Sequence, residues 1–405
     1  MESLRIFCRQ RLAAIDADDR RRRRRVVDGG HGVHVTVDGR HALNFCSNDY
    51  LGLATDPRLI DAMATAASRT GAGAGASQLV TGHNAEHAAL EADLADWLGR
   101  ERALVFSTGY AANVGTTAAL VSKRDHIVAD ALNHASLIDG ARLSGAAKHI
   151  YAHGDAMAAD RALSNEAVRS GHRLVVTDAV FSMDGDTAPL ARLADIAAAR
   201  DAWLMVDDAH GLGVFGPDGA GRVAEAGLGS DRVPILTGTL GKSVGAAGAF
   251  VAGDADVIET ILQTARSLIF STAMPAPVAA AARRGIAIIR DEPARRAHLR
   301  ALVARFKAQA ETAGLAVAES DSPIQPVIVG DEAAALRLSN ALLERGYLVG
   351  AIRPPTVAPG TSRLRVTLSA AHTDDEVDGL VAALAESWSA VGLSAHAAPA
   401  CVSSA

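Results

Sequence analysis

The sequence predicts an α/β protein, with a large domain built round a mostly parallel sheet and a smaller C-terminal α/β domain. From about residue 55 to 270, helical segments alternate with short apolar runs that end in a polar residue, the pattern of βα repeats. Runs such as Leu204-Met205-Val206 lack period-two alternation, as expected of strands covered on both faces. The length, 405 residues, suffices for roughly two to three domains at about 150 residues each.

Taken in order, residues 1–50 read as an N-terminal arm. It holds a polar helical segment, the run Arg20 to Arg25, and an alternating stretch Val33, Val35, Val37 that ends at the turn signal Asp38-Gly39. The large domain is expected over 51–285, with strands at His126 to Asp130, Arg173 to Asp178, Trp203 to Asp208 and Pro234 to Thr237. After Met274-Pro275 comes one long helical stretch to about Ala313. The small domain, 286–392, has strands near Ile324 to Val329 and Leu364 to Leu368. Its helix from Asp331 to Arg345 stops at Gly346, a C-cap glycine. Residues 393–405 lack periodicity and read as a loose tail.

Composition narrows the function. Hydrophobic residues at 49% and charged ones at 21% are those of a globular chain. Forty basic against 46 acidic side chains give a net charge of −6, and with 4% aromatics there is neither a positive field nor a stacking platform for nucleic acid. The six arginines read as a solvated face or a partner contact. Three cysteines, Cys8, Cys46 and Cys401, offer no disulfide framework and no metal cluster, and fit a reducing cytoplasm. No run reaches the 18 or so apolar residues of a membrane span, and acids stand where a secretory signal needs an apolar core.

Three familiar motifs fail on inspection. Gly241-Lys242-Ser243 resembles the end of a P-loop, but position 236 is Leu236 where that loop needs glycine. Gly211, Gly213 and Gly216 match the dinucleotide fingerprint, yet Pro217-Asp218-Gly219 arrives where a helix must begin. His83 and His87 are spaced as in metalloproteases without the glutamate, and read as surface or capping histidines.

What survives gathers at the carboxyl ends of strands, where open α/β sheets bind ligands. There stand Asp130, Asp178, Asp207, Asp208 and Thr237, together with His134, His210 and Lys242. Most of these acids read equally as helix caps or turn formers; Asp207 does so least, because Asp208 already supplies a turn residue. Lys242, among glycines and alanines, can be approached by a flat aldehyde and suits a Schiff base. Asp207 can keep a pyridine nitrogen protonated. Ser107-Thr108-Gly109-Tyr110, leading into a helix, offers N–H groups to a phosphate. Those are the demands of pyridoxal 5'-phosphate.

The chain resembles the α-oxoamine synthases, fold-type I pyridoxal-phosphate transferases. The resemblance runs from about Leu43 to Ala371 and rests on six segments. They are Asn44-Phe-Cys-Ser-Asn-Asp-Tyr-Leu-Gly-Leu53, Ser107-Thr-Gly-Tyr-Ala-Ala-Asn113, Asn133-His-Ala-Ser136, Phe181-Ser-Met-Asp-Gly-Asp186, Asp207-Asp-Ala-His-Gly211 and Gly238-Thr-Leu-Gly-Lys242. Ala351 to Val357, followed by Gly360 to Arg365, is most similar to the members that join L-alanine to a pimeloyl thioester in the biotin pathway. Glycine C-acetyltransferase, 5-aminolevulinate synthase and serine palmitoyltransferase share the core segments.

The resemblance implies a role for each matching residue. Lys242 carries the cofactor aldehyde and removes the Cα proton, Asp207 pairs with the ring nitrogen, His210 bonds the phenolate oxygen, and His134 stacks on the ring and assists at the acyl carbonyl. Gly109, Tyr110 and Thr239 lie on the phosphate side and Ser182 contacts the cofactor. Ser271 and Thr272 reach the phosphate from the partner subunit, which implies a homodimer. Arg353 holds the amino-acid carboxylate with help from Asn48, and Thr356 touches product. Ser77 borders the alanine methyl or is simply part of a flexible turn. Arg21 or Arg22, by register, meets the acyl substrate, which coenzyme A or an acyl carrier protein delivers. The six-arginine run is the main departure from the family pattern.

Overall fold

The structure, a computed structural model, describes residues 2–17, 20–168 and 170–393. The expected tail lies outside the described residues from 394 onward, as does Cys401. The described residues divide into two compact units, one within 48–299 and one within 1–47 and 300–393. Among the described residues no helix is long and apolar enough to cross a membrane, and no group of three or more histidine, cysteine or acidic side chains is placed to hold a metal.

The N-terminal segment begins with the helix Glu2–Ala17, none of whose residues is buried. β1 (Val27–Asp28), β2 (His34–Val37) and β3 (Arg40–Asn44) then form an antiparallel ribbon. Its turn at Asp38-Gly39 has φ of 50° and 79°, which such two-residue hairpins require.

The unit of residues 48–299 is built on seven strands: β4 (Arg102–Phe106), β5 (His126–Asp130), β6 (Ala147–Tyr151), β7 (Arg173–Asp178), β8 (Trp203–Asp207), β9 (Ile235–Thr239) and β10 (Ala249–Gly253). Their order is β4-β10-β9-β8-β7-β5-β6; β10 runs antiparallel to both neighbours and every other pairing is parallel. The continuous apolar runs are explained by the two faces. Ile127, Leu174, Val176 and Met205 pack into one core, while Val128, Val175, Leu204 and Val206 pack into another.

β11 (Ile324–Gly330), β12 (Tyr347–Leu348), β13 (Gly350–Ile352) and β14 (Ser362–Thr367) complete the other unit. β14 lies between β11 and β13, antiparallel to both, and β12 pairs parallel with β3. Of the expected N-terminal arm, residues 27–44 are therefore part of a four-stranded sheet with C-terminal chain. Val35, Val37 and Ala42 bury their apolar face with Leu343; the alternation of Val33, Val35 and Val37 marks the strand, but nothing in the first 50 residues names the partner. The helical stretch after Pro275 is two helices, Ala276–Asp291 and Pro293–Thr312. Pro293 lacks the N–H that a continuous helix needs. The dividing line between units falls at 299/300, within the second of these helices, rather than at 285/286.

Candidate active site

Strand ends place the first group. Asp207 is the last residue of β8, pairs in register with Asp178 at the end of β7 and with Thr237 on β9, and leads into the turn that carries His210. Lys242 follows β9 in a tight turn closed by Gly245 N–H donating to the Lys242 carbonyl at 2.9 Å. Its Nζ lies 2.8 Å from His210 Nε2, and His210 Nδ1 lies 2.6 Å from the Tyr50 hydroxyl, itself 3.3 Å from Asn48 Oδ1. The donor inventory orients this row: an ammonium donates to Nε2, so Nδ1 carries the proton and donates to Tyr50, whose O–H points at Asn48.

Asp207 is held by a second network. Its Oδ1 accepts the Ala209 N–H at 3.0 Å and its Oδ2 accepts Asn113 Nδ2 at 2.6 Å. Thr237 donates to Asn113 Oδ1 at 2.8 Å, which turns the amide nitrogen toward Asp207 and toward Ser136 Oγ at 2.9 Å. With its oxygen accepting from Asn113, Ser136 donates to His134 Nδ1 at 2.7 Å. His134 thereby keeps its proton on Nε2. Burial, in addition, pushes the imidazole below its ordinary range, against the pull of Asp207 and with the push of Lys242. It is a neutral donor. His134 also caps the helix Ala135–Ser144, and its own N–H donates to Asp178 Oδ2 at 2.7 Å. Asp178 is buried beside the Asp207 carboxylate; desolvation first, then that like charge, raises its carboxyl well above the usual range.

The helix Gly109–Leu120 starts at the end of the β4 loop, capped by the Thr108 hydroxyl. The N–H groups of Gly109 and Tyr110 donate to no protein group among the described residues. A Cβ on Gly109 would meet nothing nearer than the Thr239 Cβ at 3.9 Å. Thr239 donates to the Gly248 carbonyl at 3.0 Å, and Tyr110 to Asp139. These features fit pyridoxal phosphate: an amine for its aldehyde, a carboxylate for its ring nitrogen, and open N–H groups at a helix start for its phosphate.

The remaining expected residues are placed as follows. Ser77 precedes the π-helical turn Gln78–Gly82 and bridges to Thr272, whose carbonyl accepts from Ser107 at 3.1 Å. Ser271 follows the short helix Arg266–Ile269 and its C-cap Phe270, and its N–H donates to the Leu268 carbonyl at 3.3 Å. Ser182 lies in the loop after β7. Arg353 and Thr356 belong to the other unit, in the loop after β13, where the Thr356 N–H donates to the Arg353 carbonyl at 3.1 Å. Arg21 and Arg22 are exposed, with Arg21 paired to Asp16 at 2.7 Å. His87 is a capping histidine, accepting the Asn84 N–H in a capping box. Pro217–Gly219 forms a single 3-10 turn where the dinucleotide fingerprint needs its long helix to begin, and the α-helix after it, Arg222–Glu225, is only one turn long. Asp208 is buried, which pushes its carboxyl up to about 7, and it accepts the Val223 N–H.

Residue-by-residue reading missed Tyr50 and Asn113 as members of the site. Both stand inside segments that carry the family resemblance, but their partners are 160 and 94 positions away. The one local signal is an asparagine in the middle of a helix of small apolar residues.

Residues 40–384 match the family described as Aminotransferase class I and II. The chain is 57% identical over 360 residues to the 8-amino-7-oxononanoate synthase of Alkalilimnicola ehrlichii, covering 89% of this chain and 91% of that one. It is 52% identical over 375 residues to that of Methylococcus capsulatus, covering 93% and 96%. Among solved structures, SPT with its PLP internal aldimine superposes with a TM-score of 0.88 at 30% identity, over 92% of this chain and 94% of that one.

Proposed function

The chain belongs to the class I and II aminotransferases, on their 8-amino-7-oxononanoate synthase branch, and from that premise we propose that its substrates are L-alanine and a pimeloyl thioester. It is a pyridoxal-phosphate-dependent acyltransferase of biotin biosynthesis, an 8-amino-7-oxononanoate synthase, and in our reading the reaction releases carbon dioxide and the thiol carrier. The observation that carries the chemistry is the meeting of Lys242, His210 and Asp207 at neighbouring strand ends.

Pyridoxal phosphate supplies an electron sink that lets the amino acid's Cα bear negative charge. In our reading Lys242 would hold its aldehyde, Asp207 its ring nitrogen, His210 its phenolate oxygen, and His134 its face. Gly109, Tyr110 and Thr239 would hold the phosphate, with Ser182 a further contact. Lys242 would take the Cα proton, with His210 Nε2 2.8 Å from its amine to receive or return a proton. Asp207, fixed by Asn113 and Ala209 N–H, keeps its negative charge aimed at one place. His134 presents Nε2–H as a donor to an acyl carbonyl that gains charge. Arg353, a planar fork, suits the amino-acid carboxylate, with Asn48 beside Tyr50 assisting. Thr356, Ser77 and Arg21 or Arg22 are assigned to product, the alanine methyl and the acyl substrate.

We further assign a homodimer, in which Ser271 and Thr272 serve the partner's phosphate. Val80 and Phe270, 73% and 70% exposed, lie with half-exposed Leu79 on the segments that would meet that partner. A cytoplasmic location suits the free thiols of Cys8 and Cys46. An absorption spectrum tests the whole reading. A Schiff-base band that shifts with L-alanine and then responds to pimeloyl-coenzyme A or the pimeloyl carrier protein supports it. A response to glycine alone moves the substrate to a sister enzyme, and a colourless protein indifferent to added cofactor overturns it.

A further inference from the structure

His153 belongs to none of the assignments above, yet it sits between two carboxylates. Its Nδ1 lies 2.9 Å from Asp130 Oδ1 and its Nε2 lies 2.7 Å from Asp186 Oδ2. Carboxylates only accept, so both ring nitrogens carry protons and the ring is an imidazolium. It packs edge-on against the buried Phe181 ring, with centroids 4.3 Å apart and planes at 87°.

Each carboxylate also shapes a loop. Asp130 ends β5, and its side chain accepts the Leu132 N–H at 2.8 Å and the Gly154 N–H at 2.9 Å, forming the turn that delivers His134. Asp186 closes the loop that begins at Phe181: its carbonyl accepts the Phe181 N–H at 2.9 Å, and Ser182 is the next residue. The sheet order β7-β5-β6 places His153, which follows β6, on the far side of β5 from that loop. The ring thus spans the carboxyl end of β5 and ties together loops that start from three neighbouring strands.

We propose that His153 is a positioning residue whose imidazolium, bonded to Asp130 and Asp186, fixes the spacing of the loops that present His134 and Ser182 to the cofactor. The inference rests on reading those two residues as cofactor contacts. Replacing the ring with an uncharged side chain would leave two carboxylates facing each other across a partly buried gap, and like charges there push the loops apart.

The test is His153→Gln, read by titrating cofactor-free protein with pyridoxal phosphate and by the visible circular dichroism of the bound cofactor, with thermal unfolding alongside. The expected result is an apparent Kd raised about tenfold, an altered dichroism band and a lower kcat, with KM for L-alanine less affected. Asp186→Ala, at a side chain 37% exposed, cuts the link to the Ser182 loop alone and is expected to alter the same band; it serves if His153→Gln does not fold. A His134→Ala control separates the two readings. If the control alters the band while both clamp variants lower only the melting temperature, the clamp is structural and the inference is overturned. If the control also leaves the band unchanged, His134 is no cofactor contact and the inference falls with that assignment.

Discussion

Lys242→Ala removes the one amine in the strand-end cluster, and is expected to abolish the Schiff-base absorbance together with nearly all turnover; a variant that kept both would sink the assignment of Lys242. Tyr50→Phe is a subtler probe. It leaves the ring packing but takes away the hydroxyl bonded to His210 Nδ1 at 2.6 Å. An unsatisfied buried polar group costs about 1–3 kcal/mol, so kcat should fall about tenfold or more, with a displaced pH profile, as the imidazole loses what fixes its tautomer. An unchanged pH profile would mean that His210 needs no such orientation. His134, for its part, is legible in the sequence as a histidine after a strand. That it works as a neutral Nε2 donor follows only from Ser136 and Asn113, which the fold brings beneath it.

Among the elements, the turn after β9 is the most demanding. Gly245 has φ of 77°, and a Cβ there would stand 2.6 Å from the Leu53 carbonyl carbon, so this turn and the loop carrying Tyr50 touch backbone to backbone. Gly245→Ala is expected to cost at least about 1–3 kcal/mol in denaturant unfolding and to weaken cofactor binding, because the displaced turn carries Lys242. Asp331→Ala, which removes a helix cap in the other unit, should cost about 1 kcal/mol and leave cofactor affinity alone. Equal effects on affinity would show that the turn has no special hold on the lysine. The βα alternation and the cap signals were legible because each is written within a few residues. The antiparallel β10 between β4 and β9 was not, since its pairing depends on residues far along the chain.

For the whole molecule, stability should fall on both sides of neutrality. Burial opposes the charge on His153, but Asp130 and Asp186 raise its imidazolium to about 10. That contribution is complete below the ordinary value of 6.5 and is lost as pH rises through about 10. On the acid side, the Arg58 hydrogen bonds hold Asp56 and Glu292 down to about 2, so their contribution, present above about 4, is lost as pH falls toward 2. Melting temperatures measured from pH 2 to 10 should show both limbs, and His153→Gln should flatten the alkaline one; an alkaline limb unchanged in that variant would deny His153 its share. Phe270→Asp, at an exposed position, should reduce the solution mass from two chains to one and remove activity, whereas an intact dimer would move the interface elsewhere. The sequence by itself determined the α/β class, the strand ends that hold the site and the residues able to do the chemistry, because apolar runs, caps and motif segments are local. Only the tertiary structure decided that residues 27–44 join a sheet with β12, that Tyr50 and Asn113 orient His210 and Asp207, and that His153 stands between two carboxylates. Those depend on hydrogen bonds and strand pairings between residues remote in the chain, which no local spacing records.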